Sequence, residues 1–196
     1  LLDAVAREDV APAAIGAARA RRLMGHRTPA VRDRARTLLA GLDAGGGLPV
    51  YERARTDVLA RSGEAARGRQ QFEAQCVACH TFGGAGGRVG PDLSGIRNQP
   101  ADALLLHILV PDYEITPGYE SYTVQTRDGR TIVARMESET AGSLSMRDAA
   151  GQAHVVLRAD VVSVTAAPGS LMPATFHEAL SGQDLADLLA YLKTSR

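Results

Sequence analysis

Apolar residues recur at helical spacing early and late in the chain and alternate with polar ones in between, so the pattern predicts helices flanking a β region. Ala13 to Met24 reads as a helix. Thr28-Pro29 supplies an N-cap and a first-turn proline for a second helix running to about Leu42, with Val31, Ala35, Leu38, Leu39 and Leu42 on one face. Gly45-Gly46-Gly47 breaks that pattern, and after Pro49 the spacing of Val50, Ala54, Val58 and Leu59 predicts a third helix ending near Gly63. Arg67 to Gln75 is helical in pattern. Further on the period changes to two: Tyr122 to Thr126, the turn Asp128-Gly129, Thr131 to Met136, Ser143 to Met146, His154 to Leu157 and Val161 to Val164 predict four or five short antiparallel strands. A last helix, Gln183 to Thr194, carries Leu185, Leu188, Leu189 and Leu192 as an apolar stripe behind Ser181 as N-cap.

Composition narrows the options. The chain has 196 residues with 45% hydrophobic and 22% charged, a globular balance sufficient for one large or two small cores. Lys+Arg and Asp+Glu are 22 each, so no net basic field exists to hold nucleic acid or anionic lipid. The charge is nonetheless unevenly spread: residues 1–62 hold 11 basic against 7 acidic residues, and 63–196 hold 11 against 15. The longest strongly apolar stretch, Leu104 to Val110, contains His107 and is too short to cross a bilayer, so no transmembrane segment is expected. The chain opens on Leu1 without the basic, apolar and small-residue succession of a leader, and the expectation is that a signal sequence has been cleaved or a domain excised. The paired early helices resemble the end of a HEAT-like array. The strand layout resembles a small SH3-like or Sm-like barrel, without the aromatic platform or positive charge of a peptide or RNA reader.

The strongest chemical signal is Cys76-Val77-Ala78-Cys79-His80, which contains both cysteines of the chain. Two thiols three positions apart can add to the two vinyl groups of a haem, and the adjacent histidine then reaches iron from the same turn. Other readings are a Cys76–Cys79 disulfide, a redox dithiol and half of a zinc site. Zinc lacks a second pair of ligands, and a thioredoxin-like dithiol expects a preceding strand where Arg67 to Gln75 is helical.

Gly90-Pro91-Asp92-Leu93-Ser94-Gly95 follows after a glycine-rich loop, and here the chain resembles class I cytochrome c. The resemblance implies that the Pro91 carbonyl accepts the Nδ1 proton of His80, which would fix the ring and raise its basicity. It also implies that two helices cross, with Gly68 and Phe72 on the first meeting Leu188 and Tyr191 on the last. For the distal side, Met172 in Ser170-Leu171-Met172-Pro173 matches the Met-Pro of the family's distal loop. Met136 and Met146 fall in strands and Met24 among the early helices, where a flexible filler is the expected role. His107, His154 and His177 are rival ligands, His177 foremost because it lies close beyond Met172. Of the 133 residues from Glu64 onward, the 49 from Tyr119 to Ala167 are in excess, and the other 84 match a small class I domain.

Together these segments, with the Pro117-Gly118-Tyr119-Glu120-Ser121-Tyr122 entry into the β stretch, resemble the Pirellula/Verrucomicrobium-type haem-binding domain. That resemblance covers about Glu64 to Lys193, more loosely Leu1 to Gly63. It implies the C-terminal part of a larger exported, dehydrogenase-like protein, in the periplasm or on an outer membrane face. The expected fold is mainly α: a cytochrome c-like helical domain at 63–196, with a small antiparallel β insertion at about 119–167, after a HEAT-like segment at 1–62. The expected function is electron transfer, not enzymatic catalysis. One haem c is held by Cys76 and Cys79 and ligated by His80 and Met172, with a redox partner protein or fused dehydrogenase domain as source of electrons. A haem sensor or haem enzyme, in which a ligand displaces Met172, is the alternative.

Overall fold

The structure, a computed structural model, describes residues 1–10, 12–15, 17–40, 47–167 and 169–194. Three apolar clusters organise them.

The first lies among α1 (Leu2–Ala6), a 3-10 turn at Pro12–Ile15, α2 (Ala17–Met24) and α3 (Pro29–Leu38). Val5, Ile15, Ala20, Ala35 and Leu39 are buried there. Thr28 occupies the N-cap of α3 as expected, but its hydroxyl accepts no helix N–H; the first-turn Pro29 starts the helix. Leu42, Gly45 and Gly46, invoked above for the end of this helix and the break after it, lie outside the described residues, as does Gly16 within the expected first helix.

The second cluster is the largest. It joins α4 (Leu48–Ala60), α5 (Ala65–Gln75), the two-residue strand β1 (Thr81–Phe82), α6 (Ala101–Leu109) and the C-terminal helices, while β2 (Ala85–Gly86) pairs with β1 and is exposed. Gly83 and Gly84, at φ 62° and 83°, form the tight β1–β2 turn, where two successive left-handed residues favour glycine. The sequence reading groups α4 with residues 1–62, yet Tyr51 and Val58 of α4 are buried in the same cluster as Phe72, Leu105 and Leu188. Arg21 of α2 ties the early helices to this body: its guanidinium stacks 3.7 Å over the Tyr113 ring and donates to the Tyr113 carbonyl.

Between α6 and the C-terminal helices stands a five-stranded antiparallel sheet of β3 (Ser121–Thr126), β4 (Thr131–Glu139), β5 (Ser143–Asp148), β6 (Ala153–Leu157) and β7 (Val161–Ala166), in the order β6-β5-β4-β3-β7. A 3-10 turn, Arg158–Asp160, leads into β7. Alternation sends Val124, Ile132, Leu144, Met146 and Val156 to one face, where they form the third cluster. Register shifts at Gln125/Thr126 and Met136/Ser138 bend the strands. The last strand, β7, lies beside the first, β3, and β6 and β7 are the edges of the hydrogen-bonded sheet.

After the sheet, α7 (Phe176–Ala179) and α8 (Gly182–Leu192) end the chain's described part. Ser181 caps α8 by a reciprocal pair: its hydroxyl accepts from Asp184 N–H, and its own N–H donates to the Asp184 carboxylate at 3.0 Å. α5 crosses α8 at Gly68, where a Cβ would overlap the Asp187 carbonyl and stand 2.8 Å from Tyr191 Cβ; Gly63 is similarly tight against Ala186. Asp187, almost wholly buried, accepts from the Glu64 N–H and the Arg67 Nε, each at 2.7 Å, and from Gln183 Nε2 at 2.9 Å. These donors hold its carboxyl down at about 2, the Arg67 bond foremost and against the opposing effect of burial.

Candidate functional site

The Cys76–His80 turn begins where α5 ends. Backbone bonds from Cys79 N–H (3.0 Å) and His80 N–H (2.9 Å) to the Cys76 carbonyl keep it helical in form, so the thiols and the imidazole project from one turn. The glycine-rich loop then doubles back along it: Gly87 N–H donates to Val77 O and Gly90 N–H to Cys79 O, both at 2.8 Å. Glycine is needed at this return because a Cβ on Gly87 would overlap the Ala78 carbonyl, and one on Gly90 would stand 2.7 Å from His80 Nδ1 and 2.8 Å from its Nε2. Packed this closely, the loop brings the Pro91 carbonyl to 2.8 Å from His80 Nδ1. Burial lowers the imidazole's pKa against an opposing pull from that carbonyl, which favours a neutral ring with Nδ1–H donating and Nε2 bearing a free lone pair.

The rings of Phe72, Phe82 and Tyr191 meet pairwise with centroids 5.1 to 5.6 Å apart, fastening the residue two beyond His80 to the α5–α8 crossing.

An apolar cleft of about 40 Å³ opens beside this turn. Cys76, His80 and Met172 supply its sulfur and nitrogen donors, and its walls include Leu93, Ile108, Phe176 and Leu188. Cys79 is half-buried near Cys76; burial first, then the neighbouring Cys79, pushes the Cys76 thiol up to about 12, and burial raises Cys79 as well. The rival histidines do not line the cleft. His107 faces Glu114 at 4.0 Å, His154 bonds Asp148 at 2.7 Å on the sheet, and His177 Nδ1 lies 3.2 Å from the Ala174 carbonyl. No group of three or more His, Cys, Asp or Glu side chains suited to a metal ion occurs among the described residues.

The sheet meets the site at two points. Arg135 of β4 donates to the Arg88 carbonyl in the glycine-rich loop at 2.7 Å, with its guanidinium 4.8 Å over Tyr119. Ser121, at the start of β3, donates to the Gly169 carbonyl at 2.8 Å, just before Met172. The sequence reading gave neither residue a part in the site, nor the cleft walls Ile108, Phe176 and Leu180; an arginine or serine in a strand carries no signal of such a contact.

Residues 63–154 match the family model for the cbb3-type cytochrome c oxidase subunit III. The chain is also similar to a "Cytochrome c-553-like" protein of Synechocystis sp., with 35% identity over 69 residues that span 32% of this chain and 65% of that relative's length. With the C-x-x-C-H turn, these likenesses support a c-type cytochrome domain, with haem binding and electron transfer, over this part of the chain. No helix among the described residues is long and apolar enough to cross a membrane.

Proposed function

We propose that the chain relays single electrons through one haem c with His80 and Met172 as axial ligands. The observation that carries this reading is the shared cleft: Cys76, His80 and Met172 line one apolar space, with His80 Nδ1 against the Pro91 carbonyl. The donor set fits the group. Cys76 and Cys79 would hold it by thioether bonds, each thiol adding across a vinyl group, and His80 Nε2 and Met172 Sδ are neutral donors. When bound, haem supplies reversible one-electron exchange between ferric and ferrous iron.

The protein's own contribution is positional. Pro91 holds the imidazole in one tautomer and orientation, which strengthens it as a donor. Leu93, Ile108, Phe176 and Leu188 exclude water, and an apolar surround with a thioether ligand raises the potential. Electrons would come from a dehydrogenase domain or partner and pass to a periplasmic or membrane acceptor, in an exported protein. In this reading residues 63–196 form the electron carrier, with 119–167 inserted in it, and 1–62 are the end of a HEAT-like segment. The whole is of the Pirellula/Verrucomicrobium type.

Visible spectra of the haem-loaded chain, oxidised and reduced, with and without carbon monoxide, test this beside Met172→Ala. The expected wild type has a reduced c-type spectrum unchanged by carbon monoxide, and the variant loses the weak far-red ferric band and binds the gas. A wild type that binds carbon monoxide readily would put the sensor or enzyme reading in its place.

A further inference from the structure

Met172 stands in a segment without regular structure between β7 and α7, so whatever fixes that segment fixes the thioether. The hold comes from outside it. Asp112, shortly after α6, accepts from the Ser170 N–H through Oδ1 at 2.6 Å. Its carboxylate also lies against Gly169, where a Cβ would stand 2.9 and 3.1 Å from the two oxygens; Gly169 is left-handed at φ 82°, a conformation that suits glycine. Ser170 then passes the constraint on, its hydroxyl accepting from the Met172 N–H at 3.1 Å. Asp112 itself sits in a turn closed by Tyr113 N–H to Val110 O at 2.8 Å, and the neighbouring Tyr113 is the residue gripped by Arg21.

A neutral thioether is retained on a metal by its local concentration, which depends on how narrowly its segment is held. We propose that Asp112 is a positioning residue for Met172: by fixing Ser170 and the left-handed Gly169 it determines how firmly the thioether stays in the cleft. This inference rests on Met172 as the distal ligand. It assigns no contact between Asp112 and the haem, and the carboxylate acts as an acceptor, not as a charge.

The full haem-loaded chain is compared as wild type, Asp112→Ala, Asp112→Asn, Asp112→Leu, Gly169→Ala and Met172→Ala, reading the far-red ferric band, carbon monoxide binding to the reduced form and the midpoint potential. Asp112→Ala is expected to lose most of the band, to admit carbon monoxide and to fall in potential. Asp112→Asn keeps an oxygen that can accept the Ser170 N–H and is expected to stay close to wild type. If Asp112→Ala does not accumulate as folded protein, Asp112→Leu, which fills the space without an acceptor, decides: loss of the band supports the proposal and an unchanged band overturns it, as does an unchanged band in Gly169→Ala, where a Cβ crowds the same carboxylate and φ 82° is already strained. A folded Asp112→Ala with the wild-type band and no carbon monoxide binding, beside a Met172→Ala that loses the band, overturns the role of Asp112 alone. If Met172→Ala keeps the band, the ligand reading falls, and this inference with it.

Discussion

Gly68 faces the backbone carbonyl of Asp187 so closely that no Cβ fits between the two helices. The same Asp187 turns its buried side chain to the first turn of α5, accepting from Glu64 N–H and Arg67. One residue of α8 thus sets both the separation of the crossing, through its main chain, and its rotation, through its carboxylate.

Gly68→Ala should therefore force the crossing apart. Because the obstacle is helix backbone and not the end of a side chain, little can relax, and a loss of about 3 kcal/mol is expected. Thermal unfolding of the haem-loaded protein checks this, with a fall in Tm of about 6–12 °C; a Tm within a degree of wild type would show that α5 shifts at no cost.

Acid should weaken the same crossing. The folded-state carboxyl of Asp187 lies at about 2, below the ordinary value of 3.8, so its stabilisation is complete above the higher value and is lost as the pH falls through about 2. Asp187→Asn should unfold several degrees below wild type at pH 7, and the gap should narrow between pH 4 and pH 2. A gap that stays constant over that window would assign the effect to packing alone.

Gly90→Ala should disturb the imidazole without touching the cysteines. The new Cβ would crowd both ring nitrogens of His80, so the ring must rotate away from the Pro91 carbonyl or the loop must lift. The expected result is a covalently attached haem, visible by haem staining on a denaturing gel, with a shifted Soret band and a lower potential. An unaltered spectrum would mean that the loop yields instead of the ring.

Leu144→Ala should be felt in the sheet and not at the haem. Leu144 is fully buried in the cluster of Val124, Met146 and Val156, which is separate from the one around Phe72. Its truncation should cost about 2–5 kcal/mol, read as a lower-temperature unfolding step by calorimetry, while the far-red band stays as in wild type. Loss of the band would show that the sheet and the cleft unfold together.

Much of this architecture is legible in the sequence where local chemistry sets local form. Ser181 with Asp184 spells a capped helix start, Asp128-Gly129 a hairpin, and alternation in Ile132 to Ala134 a half-buried strand. The five strands fall within a few residues of their expected bounds. α6 is not legible, because Leu104, Leu105, Leu106, Ile108 and Leu109 meet the core around much of the helix and leave no polar stripe to mark its period. Nor is the place of α4 in the core around Phe72 and Leu188, since its own spacing says only that one face is buried. At the site, residues joined along the chain, such as Cys76, Cys79 and His80, are readable as a unit. Asp112 with Ser170, and Arg135 with Arg88, are contacts between segments far apart in sequence, and nothing in either segment announces the other.

The strand order has a further consequence, for how such a chain can acquire and fold a sheet. β3 and β7 are neighbours, with Tyr122 opposite Ala166, so the chain leaves the helical body and returns to it one strand-width away. For the surrounding body the forty-odd residues between are no wider than a hairpin, so closing the α6–α7 connection costs little more than closing a short loop once the sheet has formed. Every other pairing in the sheet is between strands adjacent in sequence, so assembly can run hairpin by hairpin, with β7 docking last.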